Sequence, residues 1–229
     1  MADLHYKEED SINRIKEIGG YMELELPRKE SYYYGADVVE VNTGRAAIYH
    51  AIKASKAKKL YLPHYLCTSM LQVIEPLNLE FEFYNIDENF MPIFDRQTTE
   101  DEAFLYINYF GTASKNTIKK LKNCHKNFLM DNTQAFFAKP IKGAYNLYSA
   151  RKFFGVNDGG YLIKDGIQKI DLESDISYPH AIHLLKRIEE GANAAYLDNM
   201  KNEDRFDDFN PIGMSKLSKR ILESIDYEE

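Results

Sequence analysis

Five short stretches of this 229-residue chain bring reactive side chains to the ends of strand-like runs: Asn42-Thr43-Gly44-Arg45, His64-Tyr65, Asn108, Asp131 with Gln134, and Ser149 with Lys152. Together they supply an acid, amides, a hydroxyl, an amine, an aromatic ring and a glycine turn at a helix start. Asp131 follows Leu129 and Met130, so its carboxylate is partly desolvated and calls for a cation or a donor such as a protonated ring nitrogen. The plainer use of Asp131-Asn132-Thr133-Gln134 is a turn or a helix cap. Lys152 precedes Phe153-Phe154 and the glycine-rich turn Gly155 to Gly160. A lysine in such surroundings gives up its proton more readily, and the neutral amine is the form that makes Schiff bases. Most lysines, by contrast, are solvated loop residues.

Two other patterns overlap the lysine. Tyr148-x-x-x-Lys152 matches the Tyr/Lys pair of short-chain dehydrogenases, yet the chain has no G-x-G-x-x-G turn for a nicotinamide dinucleotide. Ser149-x-x-Lys152 matches the S-x-x-K of penicillin-recognising enzymes, but neither S-D-N nor K-T-G follows. No metal site is expected: none of the six histidines pairs with a cysteine at zinc-site spacing, and His180 with His183 reads as a surface pair. Cys67 and Cys124 read as reduced thiols.

These groups need a frame that brings strand ends together. Strands are predicted at 38–41, 60–62, 80–86, 103–110, 128–130, 146–149 and 160–163, with an edge strand at 21–26. Helices are predicted at 46–54, 65–75, 117–124, 181–202 and 214–226, the first capped by Asn42 or Thr43. Strands alternating with helices imply an α/β fold, a mostly parallel sheet covered on both faces in three α/β/α layers. In such sheets ligands sit beyond the carboxyl ends of the strands. The chain divides into a lead-in segment (1–36), an α/β large domain (37–180) and a helical C-terminal extension (181–229).

Composition narrows the class. Hydrophobic residues make up 44% and the net charge is -7, which argues against a protein held to nucleic acid by phosphate contacts. The polar N-terminus is neither signal peptide nor anchor, and no apolar run could span a bilayer. A cytoplasmic protein with no membrane partner is expected. Seventeen tyrosines and thirteen phenylalanines, including Tyr32-Tyr33-Tyr34, suit either an interface or a buried strand.

Taken in order, these motifs resemble the large domain of fold-type I pyridoxal-phosphate enzymes, and among them the DegT/DnrJ/EryC1/StrS sugar aminotransferases. Asn42-Thr43-Gly44-Arg45-Ala46-Ala47 is similar to that family's turn, whose backbone N–H groups hold the cofactor phosphate at a helix N-terminus. Tyr65, in Leu62-Pro63-His64-Tyr65, is similar to the aromatic residue that stacks on the pyridine ring. Asp131 would pair with the ring nitrogen, Gln134 would reach the ring hydroxyl, and Lys152 would be the Schiff-base lysine. The family's phosphate serine stands where this chain has Leu147, so that role passes to Ser149. Arg45 replaces a small hydroxylated residue and could add a phosphate contact.

The resemblance implies pyridoxal 5'-phosphate as cofactor, with Lys152 and Asp131 catalytic and Thr43, Gly44, Arg45, Tyr65, Asp131, Gln134, Ser149 and Lys152 binding it. It also implies amino transfer from a donor such as glutamate to a nucleotide-linked keto sugar for surface polysaccharide, by a homodimer. The alternatives are a catalytically idle relative serving as a binding or assembly module, and the dehydrogenase built on Tyr148 and Lys152. Members of the family run on into a small domain that 181–229 does not supply, so slow turnover is expected. A dehydratase of the family carries histidine at the lysine position, and Lys152 therefore favours transamination.

Overall fold

Alternating aliphatic and aromatic residues build the two faces of one sheet. In the computed structural model, which describes residues 20–228, eight strands run in the order β1-β8-β7-β6-β5-β2-β3-β4. These are β1 (Val38–Val41), β2 (Lys59–Pro63), β3 (Glu80–Ile86), β4 (Pro92–Ile93), β5 (Glu102–Ile107), β6 (Asn127–Asp131), β7 (Tyr145–Ser149) and β8 (Gly160–Ile163). Neighbours from β7 to β3 pair in parallel, while β8 is antiparallel to both β7 and β1, and β4 to β3. The fold is α/β with a mostly parallel sheet, as the strand-helix alternation predicts.

Period-two alternation sorts the side chains. Leu60, Leu62, Leu105, Leu129, Leu147 and Leu162 point to one face, where they are buried against α1 (Gly44–Ser55) and α2 (Leu71–Ile74). Tyr61, Phe104, Tyr106 and Phe128 point to the other, under α3 (Lys115–Cys124), and Tyr148 and Tyr161 lie beneath α6 (Lys216–Leu222). Helices on both faces make three layers. Much of the aromatic content therefore fills the second face, and Tyr33 joins it against Phe136, Tyr148 and Tyr161. Tyr34, of the same run, is exposed.

Several predicted elements differ. Residues 21–26 pair with no described strand, and Tyr21 is 99% exposed because nothing lies alongside to cover it. The strand predicted to reach 110 stops at Ile107, where Asn108 Nδ2 donates to Asn132 Oδ1 (2.9 Å) and turns the chain. The helix predicted over 65–75 shrinks to α2 between two 3₁₀ turns, Thr68–Met70 and Glu75–Leu77, which leaves Tyr65 outside it. The long helix over 181–202 is two: α4 (Ile182–Glu190) and α5 (Ala192–Asp204), broken by Gly191 at φ 86°. Ile182, Leu185 and Ile188 of α4 are exposed to solvent. The helix predicted over 214–226 contracts to α6, with Ser215 Oγ capping Ser218 N. His183 is buried, its Nδ1 bonded to the His180 carbonyl oxygen (2.9 Å), so the histidines are not a surface pair. Among the described residues no helix is long and apolar enough to cross a membrane.

Candidate active site

A cleft of about 600 Å³ opens at the carboxyl ends of β5, β6 and β7, beside the N-terminus of α1. Thr43, Gly44, Arg45, Tyr65, Asp131, Gln134, Ser149 and Lys152 all line it. The structure thus brings every residue singled out for cofactor binding into one cavity.

The floor is set by α1. Thr43 Oγ1 caps Ala46 N (3.0 Å), and Thr43 O accepts from Ala47 N (3.1 Å). The N–H groups of Gly44 and Arg45 have no hydrogen-bond acceptor among the described residues, which makes this helix end an anion cradle. A Cβ on Gly44 would stand 2.9 Å from Thr133 Cγ2 and 3.3 Å from Ser149 Cβ, so the turn lies directly against both hydroxyl residues. Ser149 closes β7 on the same face as Leu147, which is fully buried under α1. Its place at the end of the strand opens Ser149 to the cradle, while Leu147, one pleat earlier, is sealed in the core.

Asp131 ends β6, buried, with Oδ1 accepting from Thr133 N (2.8 Å). Burial raises its carboxyl above the ordinary value, while the Thr133 bonds and, more weakly, the Lys152 charge pull it down. An acid held this way is completed by a cation or an N–H donor. Lys152 is exposed to the cleft, and no hydrogen bond holds its amine among the described residues. The ring of Tyr65 is 59% exposed and lies 5.6 Å from that of Tyr109, whose hydroxyl donates to Tyr65 O (2.6 Å). Gln134 is exposed on the rim.

Arg45 is already engaged, donating to Gln72 Oε1 and to Phe206 O (2.7 Å). Tyr148 is fully buried in the aromatic layer, its hydroxyl donating to Ala138 O (2.8 Å). The Tyr148/Lys152 dehydrogenase pair is therefore not assembled: Tyr148 packs in the aromatic layer, while Lys152, on the turn after β7, lines the cleft. His64 and Asn108 do not line the cleft: His64 stacks on Phe83 (4.8 Å) and Asn108 builds a turn.

Other cleft residues carried no signal in the sequence. Arg151 donates to Glu203 (2.9 Å), and its guanidinium lies 4.2 Å from the Phe206 ring. Glu203, Asp204 and Asp207, from the end of α5 and the loop beyond, add carboxylates to the rim. Cys67 also lines it; Ser69 Oγ donates to its sulfur (3.1 Å) and lowers the thiol below its ordinary value, helped by the charges of Lys152 and Arg45.

The lysine turn and the cradle are fastened together from behind. Gly159 N donates to Asn42 O (2.5 Å), and Ala150 N to Gly159 O (3.0 Å). A Cβ on Gly160 would meet Thr43 C and O at 2.7 Å and Gly44 N at 2.9 Å. Asp158, fully buried, accepts from Ser215 N (2.7 Å), Ser215 Oγ (2.6 Å) and Ser218 Oγ, which ties the turn to α6. Asn42 itself is held by residues far along the chain, its N–H by Ile212 O (2.9 Å) and its Nδ2 by Asn210 O (2.8 Å).

No protein-family model and no curated protein matches the sequence. Solved structures similar to the chain include an E. coli GDP-4-keto-6-deoxy-D-mannose-3-dehydratase (20% identity, TM-score 0.43, covering 59% of this chain and 40% of that one). DesV of S. venezuelae is similar at 13% identity and TM-score 0.44, over 81% of this chain and 50% of its own. The sugar aminotransferase CalS13 of Micromonospora echinospora is similar at 14% identity and TM-score 0.44, over 74% of this chain and 57% of its own. The aligned part of the chain thus spans between 40% and 57% of these three proteins.

Proposed function

We propose that the cleft binds pyridoxal phosphate and that the protein is an aminotransferase acting on a keto sugar. One observation carries this reading: an anion cradle, a buried carboxylate and a lysine amine line a single cavity. Among the described residues neither the acid nor the amine has an ion-pair partner, and the acid's hydrogen bonds come from Thr133 in its own turn. The donor set fits the cofactor. Gly44 N, Arg45 N and the hydroxyl of Ser149 suit a phosphate dianion, and the bare Cα of Gly44 lets them converge. Asp131 suits a protonated ring nitrogen, Gln134 a ring hydroxyl, and Tyr65 offers a face for stacking.

When bound, pyridoxal phosphate supplies an aldehyde that bonds an amine and a ring that withdraws electrons. The chain's own groups do the rest. Asp131, destabilised by burial while alone, keeps a proton on the ring nitrogen because the ion pair relieves that cost. Lys152 would hold the cofactor, and its freed amine would carry a proton between the substrate carbon and the cofactor carbon on either side of the shared nitrogen. The cradle fixes the phosphate and so keeps the ring from sliding. We read the donor as an amino acid such as glutamate and the acceptor as a nucleotide-linked keto sugar for surface polysaccharide. The division into 1–36, 37–180 and 181–229 belongs to this proposal, as do a cytoplasmic location and a homodimer, for which the outward apolar residues of α4 are available.

Borohydride reduction of cofactor-treated protein, followed by peptide mass analysis, tests the assignment. A pyridoxyl group on Lys152, lost in Lys152→Ala, is expected; an adduct that persists in Lys152→Ala would overturn it. A glutamate half-reaction, followed by absorbance, then separates a working aminotransferase from an idle binder.

A further inference from the structure

Phe110 sits where a phenylalanine gains little. Its backbone is in the left-handed region (φ 56°, ψ 14°), which bulky L-residues avoid, and its ring is 62% exposed on the cleft lining. The surrounding turn over-determines that conformation: Gly111 N donates to Asn108 O (3.1 Å) and Thr112 N to Tyr109 O (3.1 Å). Phe90, also left-handed at φ 60°, meets Phe110 edge-on at 5.8 Å and Tyr109 at 5.1 Å. With Tyr65 stacked on Tyr109, four rings make one wall. Folding alone would favour glycine or asparagine at 110. Strain kept at a cleft so that an apolar ring faces water points to a ligand.

The rim chemistry narrows the class. Besides the aromatic wall, the same cleft is lined by Asp204 and Asp207, which make no ion pair among the described residues. An aromatic face packs on the C–H face of a saturated ring, carboxylates accept from hydroxyls, and the same carboxylates repel phosphate. We propose that Phe110 is the stacking residue for the outer half of the substrate, and that the rim selects the uncharged polyhydroxylated ring, with any phosphate directed away from it. This deepens the aminotransferase reading and rests on it only in taking the substrate to enter the same cleft.

The test pairs two readouts whose signs oppose. Phe110→Asn relieves the backbone strain and should raise the melting temperature of the cofactor-free protein by about 2 °C. In saturation-transfer NMR with N-acetylglucosamine, UDP-N-acetylglucosamine and UMP, the wild type should saturate the sugar-ring protons. Phe110→Asn should lose about fivefold of that signal, and Phe110→Trp should retain it. A stabilised variant with undiminished sugar signal overturns the proposal, as does a lower melting temperature. So does saturation confined to the uridine protons, or no sugar signal in the wild type. Pyridoxal-phosphate uptake is measured on the same samples and should match between wild type and Phe110→Asn. Failed uptake by the wild type refutes the aminotransferase reading, while the sugar readout on cofactor-free protein still judges Phe110.

Discussion

One added methyl group should separate the cradle from the lysine turn. In Gly160→Ala the new Cβ would lie 2.7 Å from the Thr43 carbonyl and 2.9 Å from Gly44 N, all backbone atoms, whereas ordinary contact begins at 3.4 Å. Position 160 cannot yield, because it is paired to Val41 on one side and Ser149 on the other. The turn at Thr43 and Gly44 must therefore move, from 2.7 to 3.4 Å, by about 0.7 Å. Forced overpacking of this kind costs about 1–3 kcal/mol, which in a chain of this size lowers the melting temperature by about 2–4 °C for each kcal/mol. Misplacement approaching 1 Å costs about a hundredfold in an oriented site, so pyridoxal-phosphate affinity should drop by about tenfold or more. Isothermal titration of the cofactor is the assay. Gly155→Ala is the control: it lies three residues after Lys152, and its Cβ would meet only Leu184 Cδ2 at 3.7 Å. Wild-type affinity in Gly160→Ala, or an equal loss in Gly155→Ala, would refute the account of the cradle.

Three further outcomes are expected. Burial, with a smaller push from the Arg96 charge, lowers the His125 pKa from 6.5 to about 4, and the ring stacks 3.8 Å from Phe104. The unfolded chain thus takes up a proton below pH 6.5 that the folded one refuses until about pH 4; stability should fall by up to about 3 kcal/mol across that window, and His125→Phe should flatten the fall in urea titrations. Asp131→Asn removes a buried charge but keeps an acceptor for Thr133 N, so at pH 7 the cofactor-free protein should gain about 1 kcal/mol while cofactor binding weakens; calorimetry with and without pyridoxal phosphate reads both signs. Tyr148→Phe should leave cofactor affinity unchanged and lower stability by about 1 kcal/mol, the worth of its bond to Ala138 O, as thermal melts will show.

The sheet was legible because its strands alternate leucine with aromatic residues in short runs, a pattern helices do not produce. The inner half of the cleft was legible for a related reason: Asn42 to Arg45, Asp131 and Ser149 stand directly after those runs, and strand ends converge in a parallel sheet. The outer half was not. Glu203, Asp204 and Asp207 lie more than fifty residues after Ser149, beyond the Gly191 break in what periodicity draws as one continuous helix. Phe110 reads as the end of an apolar strand, and only the side-chain bonds of Asn108 show that the chain has already turned.

The bonds from Asn42 to residues 210 and 212 have a consequence for biosynthesis. The cradle turn leaves the ribosome early, but the acceptor for Asn42 Nδ2 follows 168 residues later. At about 5–20 residues per second that delay is on the order of 8–34 s. Until then β1, although β8 has already been made, lacks its distant hydrogen bonds, and the Asp158 clamp lacks its serines. A nascent chain stalled before residue 210 should therefore not capture cofactor, however much is present. Loading becomes a late event in translation, and a pulse of labelled pyridoxal phosphate should mark only chains whose residues 210–218 have cleared the exit tunnel.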